Sequence, residues 1–146
     1  MIKMKCAYCE LPEIRKRTIV ENDLAFAFPT NIPITVGHTL VIPKRCVAKY
    51  GDLTKSEMAA IEALRVQVCA SLVRAFSAKG FNFAWNEGKD FGQSVPHFHL
   101  HIVPRSSEDT GIVDYEPRKF LYRTGDREAI EEEELIKVSE VLRENI

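Results

Sequence analysis

Three of the four histidines in this 146-residue chain fall within five positions, at His97, His99 and His101. In an extended segment successive side chains point to opposite faces, so these three share one face while Phe98, Leu100 and Ile102 share the other. Neighbouring histidine Cα atoms then lie about 6.5 Å apart. Two chemistries use such a row. Alternating imidazoles can ligate a metal from one strand. Alternatively, one imidazole acts as a nucleophile while its neighbours orient it and stabilise charge on a phosphoryl group. A second constellation is Cys6-Ala7-Tyr8-Cys9, whose spacing suits half of a zinc site or a redox pair. A thioredoxin-like redox motif belongs near a βαβ pattern, which the N-terminal region does not show.

The remaining sequence must position these groups. Arg17–Val20 and Leu24–Phe28 read as two strands of a hairpin around Glu21-Asn22-Asp23. Two prolines, an asparagine and a glycine mark residues 29–37 as a loop, and His38–Ile42 as a strand stopped by Pro43. Thr54-Lys55-Ser56-Glu57 has the form of a capping box. Behind it Met58, Ile61, Leu64, Val68, Leu72 and Phe76 recur at three- and four-residue steps, one stripe of an amphipathic helix. Lys79-Gly80 is the expected stop, with glycine as the cap. Phe81–Trp85 reads as a strand, residues 86–95 as a loop and His97–Val103 as the last strand. Residues 127–144 read as a helix with Ile130, Leu135, Val138 and Val141 on one side. This order predicts an α+β fold: an antiparallel sheet of about five strands, one long helix and a C-terminal helix, with the helices on one side.

Composition narrows the functional classes. The chain is 45% apolar and 28% charged with net charge −1. That balance predicts no broad attraction to a nucleic acid polymer or an anionic membrane, and no apolar run approaches a membrane span. Length predicts a single domain over residues 1–146. The start has no apolar signal region, so the expected location is the cytoplasm, where thiols stay reduced and Cys6, Cys9, Cys46 and Cys69 are ligands or core residues rather than disulfides. Cys69, among apolar neighbours, is expected in the core. Arg105, following a strand, is expected to be solvated.

The segment His97-Phe98-His99-Leu100-His101-Ile102-Val103 resembles the signature of the histidine triad (HIT) family. Gly37-His38-Thr39-Leu40-Val41-Ile42-Pro43-Lys44-Arg45, Asn86-Glu87-Gly88 and Gly92-Gln93-Ser94-Val95 match it in order, so the resemblance covers residues 4–105 and leaves 106–146 as a C-terminal extension. It implies a nucleotide hydrolase or transferase that attacks the α-phosphorus of a nucleoside phosphate derivative. By position, His99 is the nucleophile, His101 and His38 flank the phosphoryl group, and Ser94 meets the leaving group. Asn86 and Gln93 lie near the phosphates. Where many relatives carry an aspartate for the ribose hydroxyls this chain has Thr30, with Asn31 as the candidate substitute. The resemblance also implies a homodimer, to which Phe81, Phe83 and Trp85 could contribute if they are not core.

Some relatives bind a structural zinc through a Cys-x-x-Cys pair, a downstream histidine and the first triad histidine. Cys46 stands in place of that downstream histidine, so the implied set is Cys6, Cys9, Cys46 and His97. Such a closed Cys₃His site stabilises rather than catalyses. No organic cofactor is implied. Two other classes stay open: a metallohydrolase with the histidine row as its metal site, and a nucleotide-binding or interaction module without turnover.

Overall fold

The computed structural model describes residues 6–109 and 128–146. Two short helices come first, α1 (Ala7–Glu10) and α2 (Pro12–Lys16), then strands β1 (Val20–Glu21), β2 (Ala25–Pro29) and β3 (Thr39–Pro43). A 3₁₀ turn at Tyr50–Asp52 leads into the long helix α3 (Lys55–Phe76), followed by β4 (Gly80–Ala84), β5 (Leu100–Arg105) and α4 (Glu132–Glu144). The strands form one antiparallel five-stranded sheet in the order β1-β2-β3-β5-β4. The expected α+β architecture is therefore present. No helix among the described residues is long and apolar enough to cross a membrane.

Alternation along the strands gives the sheet two different faces. Ala25, Ala27, Val41, Leu100 and Ile102 face α3 and pack with Ile61, Leu64, Val68 and Leu72. This is the stripe read from the sequence, and each fully buried aliphatic side chain contributes about 1.5–3 kcal/mol. α4 packs on the same side, against α3 and β2. The opposite face carries Phe26, Phe28, Leu40 and Ile42, which pack with Ile14 of α2 and Tyr8 of α1. Helices on one side only was thus too simple, since the two N-terminal helices cover part of the second face. The register aligns Phe28, Leu40, His101 and Ala84 in one row across β2, β3, β5 and β4. That row forms the floor of the site.

Several boundaries differ from expectation for identifiable reasons. The first strand shrinks to Val20–Glu21 because Arg17 ends α2. The capping box at Thr54 forms as read: Glu57 N–H donates to Thr54 Oγ1 at 3.0 Å, and Thr54 N–H to Glu57 Oε1 at 2.9 Å. The far end of α3 is capped by Ser77 in the left-handed conformation, φ 56°, not by Gly80. Gly80 opens β4 opposite Arg105. The triad segment joins the ladder only at Leu100, because the partner strand ends at Pro43, which has no N–H to give. In the C-terminal helix the buried positions are Leu135, Ser139 and Leu142. Val141 is exposed, and Ile130 precedes the helix and donates its N–H to Asn31 O at 2.8 Å. Position 127, the expected helix start, lies outside the described residues.

Cys69 is half-buried against the α3 core, as expected. Arg105 is not a solvated end: it pairs with Asp109 through two 3.0 Å contacts and reaches Asn82 at 3.2 Å. Phe81 packs on the core, while Phe83 and Trp85 are exposed along the edge strand.

Candidate active site and metal centre

The site lies on the second face of the sheet, in a cavity of about 260 Å³ between the strands and α1–α2. His38, His99, His101, Ser94, Asn86 and Asn31 all line it. A single Ala84 beside His101 in the floor row leaves the space open.

Backbone groups fix the orientation of the imidazoles. His99 sits 4% exposed with Nδ1 2.8 Å from the carbonyl oxygen of His97. A carbonyl only accepts, so Nδ1 carries the proton and Nε2 carries the lone pair. Burial first, and His97 beside it, hold the His99 imidazole below the ordinary histidine range, against the opposing pull of that backbone bond. The ring is therefore neutral and nucleophilic at physiological pH. A second chain of bonds starts at Ile34, whose N–H donates to His38 Nδ1 at 3.0 Å. His38 Nε2 then carries the ring proton and donates to His101 Nδ1 at 2.9 Å. That leaves the His101 proton on Nε2. The loop that supplies Ile34 depends on Gly37, whose φ of 92° and whose approach to Leu72 exclude a Cβ.

The loop ahead of the triad contributes unequally. Ser94 is exposed at the cavity. Asn86 donates from Nδ2 to Gly92 O at 3.2 Å while lining the cavity. Gln93 is buried outside that lining: its Oε1 accepts from Gly88 N–H at 3.0 Å and its Nε2 donates to Ala48 O at 2.6 Å. The amide is thus committed to holding two loops together. Thr30, which stands where the resemblance puts an aspartate in many relatives, lines the cavity and uses Oγ1 to accept from Ile32 N–H at 3.3 Å.

Beside this cavity the four residues of the implied metal set converge. The ligand atoms of Cys6, Cys9, Cys46 and His97 all lie within 4.8 Å of one another. His97 Nδ1 is 3.3 Å from Cys6 Sγ and 3.5 Å from Cys9 Sγ. Tetrahedral zinc with ordinary bond lengths sets its sulfur and nitrogen ligands about 3.5 Å apart, so these edges fit. His97 Nε2–H donates to Pro43 O at 2.7 Å, which turns the unprotonated Nδ1 toward the cysteines. A metal-binding histidine is oriented by such an outer bond. Cys46 arrives because the chain after β3 runs alongside the triad, with Phe98 N–H donating to Val47 O at 2.6 Å. Desolvation, then Cys6 and Cys46, push the Cys9 thiol up to about 12. Crowded thiols resist losing their protons together, and a divalent cation would reverse that preference. The histidine row does not act as one ligand set: His97 turns to the cysteines, whereas His99 and His101 turn to the cavity.

Two cavity residues escaped the reading of the sequence. Tyr8 lies between the paired cysteines, and its ring meets those of Phe28 and His99 edge-on at 5.5 and 5.3 Å. Arg17 is almost fully buried in the wall. The signal for Tyr8 was present in the sequence: if Cys6 and Cys9 close on His97, the residues between them must lie against the triad.

Comparison with known proteins agrees with this geometry. Residues 11–108 match the HIT domain family. The chain is 35% identical over 123 residues to a bis(5'-adenosyl)-triphosphatase of Dictyostelium discoideum, covering 83% of this chain and 79% of that protein. It is 32% identical over 111 residues to the adenosine 5'-monophosphoramidase hnt1 of Schizosaccharomyces pombe, covering 75% and 80%. The crystal structure of a Zn-bound histidine triad family protein from Mycobacterium smegmatis superposes with a TM-score of 0.71 at 26% identity, covering 97% of this chain and 93% of that one. With the triad, its preceding loop and the sheet that carries them all in register, the chain belongs to the HIT domain family.

Proposed function

We propose that the protein hydrolyses nucleoside phosphate derivatives through a covalent nucleotidyl-histidine on His99. The observation that carries this reading is the backbone bond from His99 Nδ1–H to His97 O, which commits Nε2 to the cavity as a neutral lone pair. Nε2 attacks the α-phosphorus and forms the P–N bond. The bond from phosphorus to the leaving group breaks, and the leaving group departs with the electron pair. Ser94 stands where its hydroxyl can donate to that departing atom, and His101 Nε2–H faces the phosphoryl oxygens. The ring is now cationic, and its Nδ1–H stays on the His97 carbonyl. Because burial disfavours that cation, the phosphoryl group passes readily to water, releasing the nucleoside monophosphate and neutral His99. Asn86 belongs near the phosphates and Asn31 toward the nucleoside, while Gln93 serves the loop.

The relatives named above act on nucleotides, and that supports the substrate class. The Cys6, Cys9, Cys46 and His97 set is read as a structural zinc site: it would clamp the N-terminal segment to the catalytic strand and take no part in the chemistry. The test is turnover of dinucleoside polyphosphates and nucleoside phosphoramidates by wild type and His99→Ala. Turnover should disappear in the variant while nucleotide affinity persists. Undiminished turnover would remove His99 as the nucleophile, and affinity without turnover in the wild type would leave only a binding module.

A further inference from the structure

The metal set and the reaction cavity share one small element, α1. Cys6 and Cys9 bracket Ala7 and Tyr8, and both bracketed residues line the cavity. The Tyr8 ring meets three others edge-on: Phe28 at 5.5 Å, His97 at 5.9 Å and His99 at 5.3 Å. One side chain thus touches both a residue of the metal set and the proposed nucleophile. Little else ties α1 down. Its backbone hydrogen bonds stay within the segment from Cys6 to Leu11, and none of its four residues is fully buried. Among the described residues, the hydrogen bonds that join this segment to the triad are those of Cys6 and Cys9 with His97 Nδ1. A helix of four residues has no stability of its own. Cys9 and Cys46 are exposed, so an ion can enter or leave from outside while its effect is felt in the cavity.

We propose that Tyr8 is a positioning residue that couples metal occupancy to nucleotide binding. An ion on Cys6, Cys9, Cys46 and His97 holds α1 against the sheet, and α1 in turn holds the Tyr8 ring as a cavity wall against His99. This rests on the readings of the cavity as a nucleotide site and of the four residues as a zinc site. Without the ion, a nucleotide must itself order α1 before it gains the wall contacts, and that ordering weakens its affinity. The coupling is reciprocal by thermodynamic necessity, so the nucleotide tightens the hold on the ion by the same factor. The ion does this without touching the reacting atoms.

The experiment measures two equilibria on the full chain, neither of which needs turnover. Affinity for adenosine and guanosine monophosphates is measured by calorimetry on the zinc-loaded and the chelator-stripped protein, with circular dichroism following the fold. Zinc affinity is measured by competition with a chelating indicator, with and without saturating nucleotide. Wild type should bind nucleotide about tenfold more tightly with the ion than without it, and nucleotide should tighten zinc by the same factor. Loaded Tyr8→Ala should bind nucleotide as weakly as stripped wild type, and stripping it should change nothing further. Tyr8→Phe keeps the ring and should restore both factors. Thr54→Ala weakens the fold at the capping box, away from the cavity, and should leave both factors unchanged. Equal nucleotide affinity with and without the ion overturns the proposal, as does coupling that persists in Tyr8→Ala or disappears in Thr54→Ala. Unfolding of the whole chain on stripping also overturns it, because the ion would then serve the fold and not the wall. A loaded chain that binds no nucleotide refutes the nucleotide-site reading as well, and a chain that takes up no zinc refutes the zinc reading. Both outcomes are distinct from binding of ion and nucleotide without coupling.

Discussion

Gly37→Ala tests whether the loop geometry behind the site is held by packing. Gly37 has φ 92°, a conformation disfavoured for a side-chain-bearing residue by about 1–2 kcal/mol. An added Cβ would stand 2.8 Å from Leu72 Cδ2 and 3.2 Å from Phe76 Cδ2. Leu72 is fully buried in the cluster packed between α3 and the sheet, so its side chain must shift within that packing to make room. Overpacking of this kind costs about 1–3 kcal/mol, so the total expected loss is about 2–5 kcal/mol. The same displacement moves the neighbouring His38, so catalytic efficiency should fall together with the urea midpoint. A double-mutant cycle separates the two contributions. Leu72→Ala alone should cost about 2–5 kcal/mol as a cavity, but in the Gly37→Ala background it removes the clash, giving a favourable coupling of about 1–3 kcal/mol. Strict additivity in urea unfolding would refute the packing argument and leave only backbone strain. A Gly37→Ala protein of wild-type stability would refute both.

Other expectations follow from the same geometry. Thr54→Ala removes one arm of the capping box and should lower unfolding free energy by about 1 kcal/mol, with little change in turnover. A chelator should lower the melting temperature and, under native mass spectrometry, release one metal ion per chain; an unchanged melting temperature would argue against the cysteine site. In the proposed mechanism His99 must be neutral to attack, and its folded value lies below the ordinary 6.5. Its catalytic rate should therefore hold below pH 6.5 and fall only as pH drops through the lowered value. The linked stability has the same sign: it is fully present above 6.5 and is lost as pH falls toward the folded value, because the unfolded chain binds the proton first. A rate that already halves at pH 6.5 or above would contradict this.

What the sequence made legible were features written in adjacent residues. The triad alternation, the capping box at Thr54 and the four buried positions of the α3 stripe each depend on local period or spacing, and each is present. Boundary errors arose where tertiary packing decided. Ser77 caps α3 because the chain must turn there to enter β4. The C-terminal helix starts later than read, at Glu132, and it turns the face of Leu135, Ser139 and Leu142 rather than Val141 to the core. The helices α1 and α2 are only four and five residues long, too short for periodicity to register. Pro12 at the first position of α2, Glu13 in its first turn and Arg15 with Lys16 in its last did mark it. The Arg17 wall was not legible at all, since it joins residues 115 positions apart through Glu132.

His97 carries two tasks, and they use different atoms. Its side chain faces the cysteines through Nδ1, while its backbone carbonyl holds the Nδ1 proton of His99. Because any residue at position 97 supplies that carbonyl, the side chain can change without altering the tautomer of His99, the proposed nucleophile, provided the backbone stays in place. His97→Cys should keep it there, since a Cys₄ set is as good a structural zinc site as Cys₃His. Pro43 O loses its imidazole donor in the exchange, a cost of about 1–3 kcal/mol in stability. The expected protein retains one metal ion per chain and turnover within about tenfold of wild type, whereas His97→Ala loses metal and stability together. If His97→Cys keeps its metal but loses turnover as completely as His99→Ala, the imidazole at 97 takes part in the reaction itself. The division between a structural histidine and a catalytic one, two residues apart, would then be wrong.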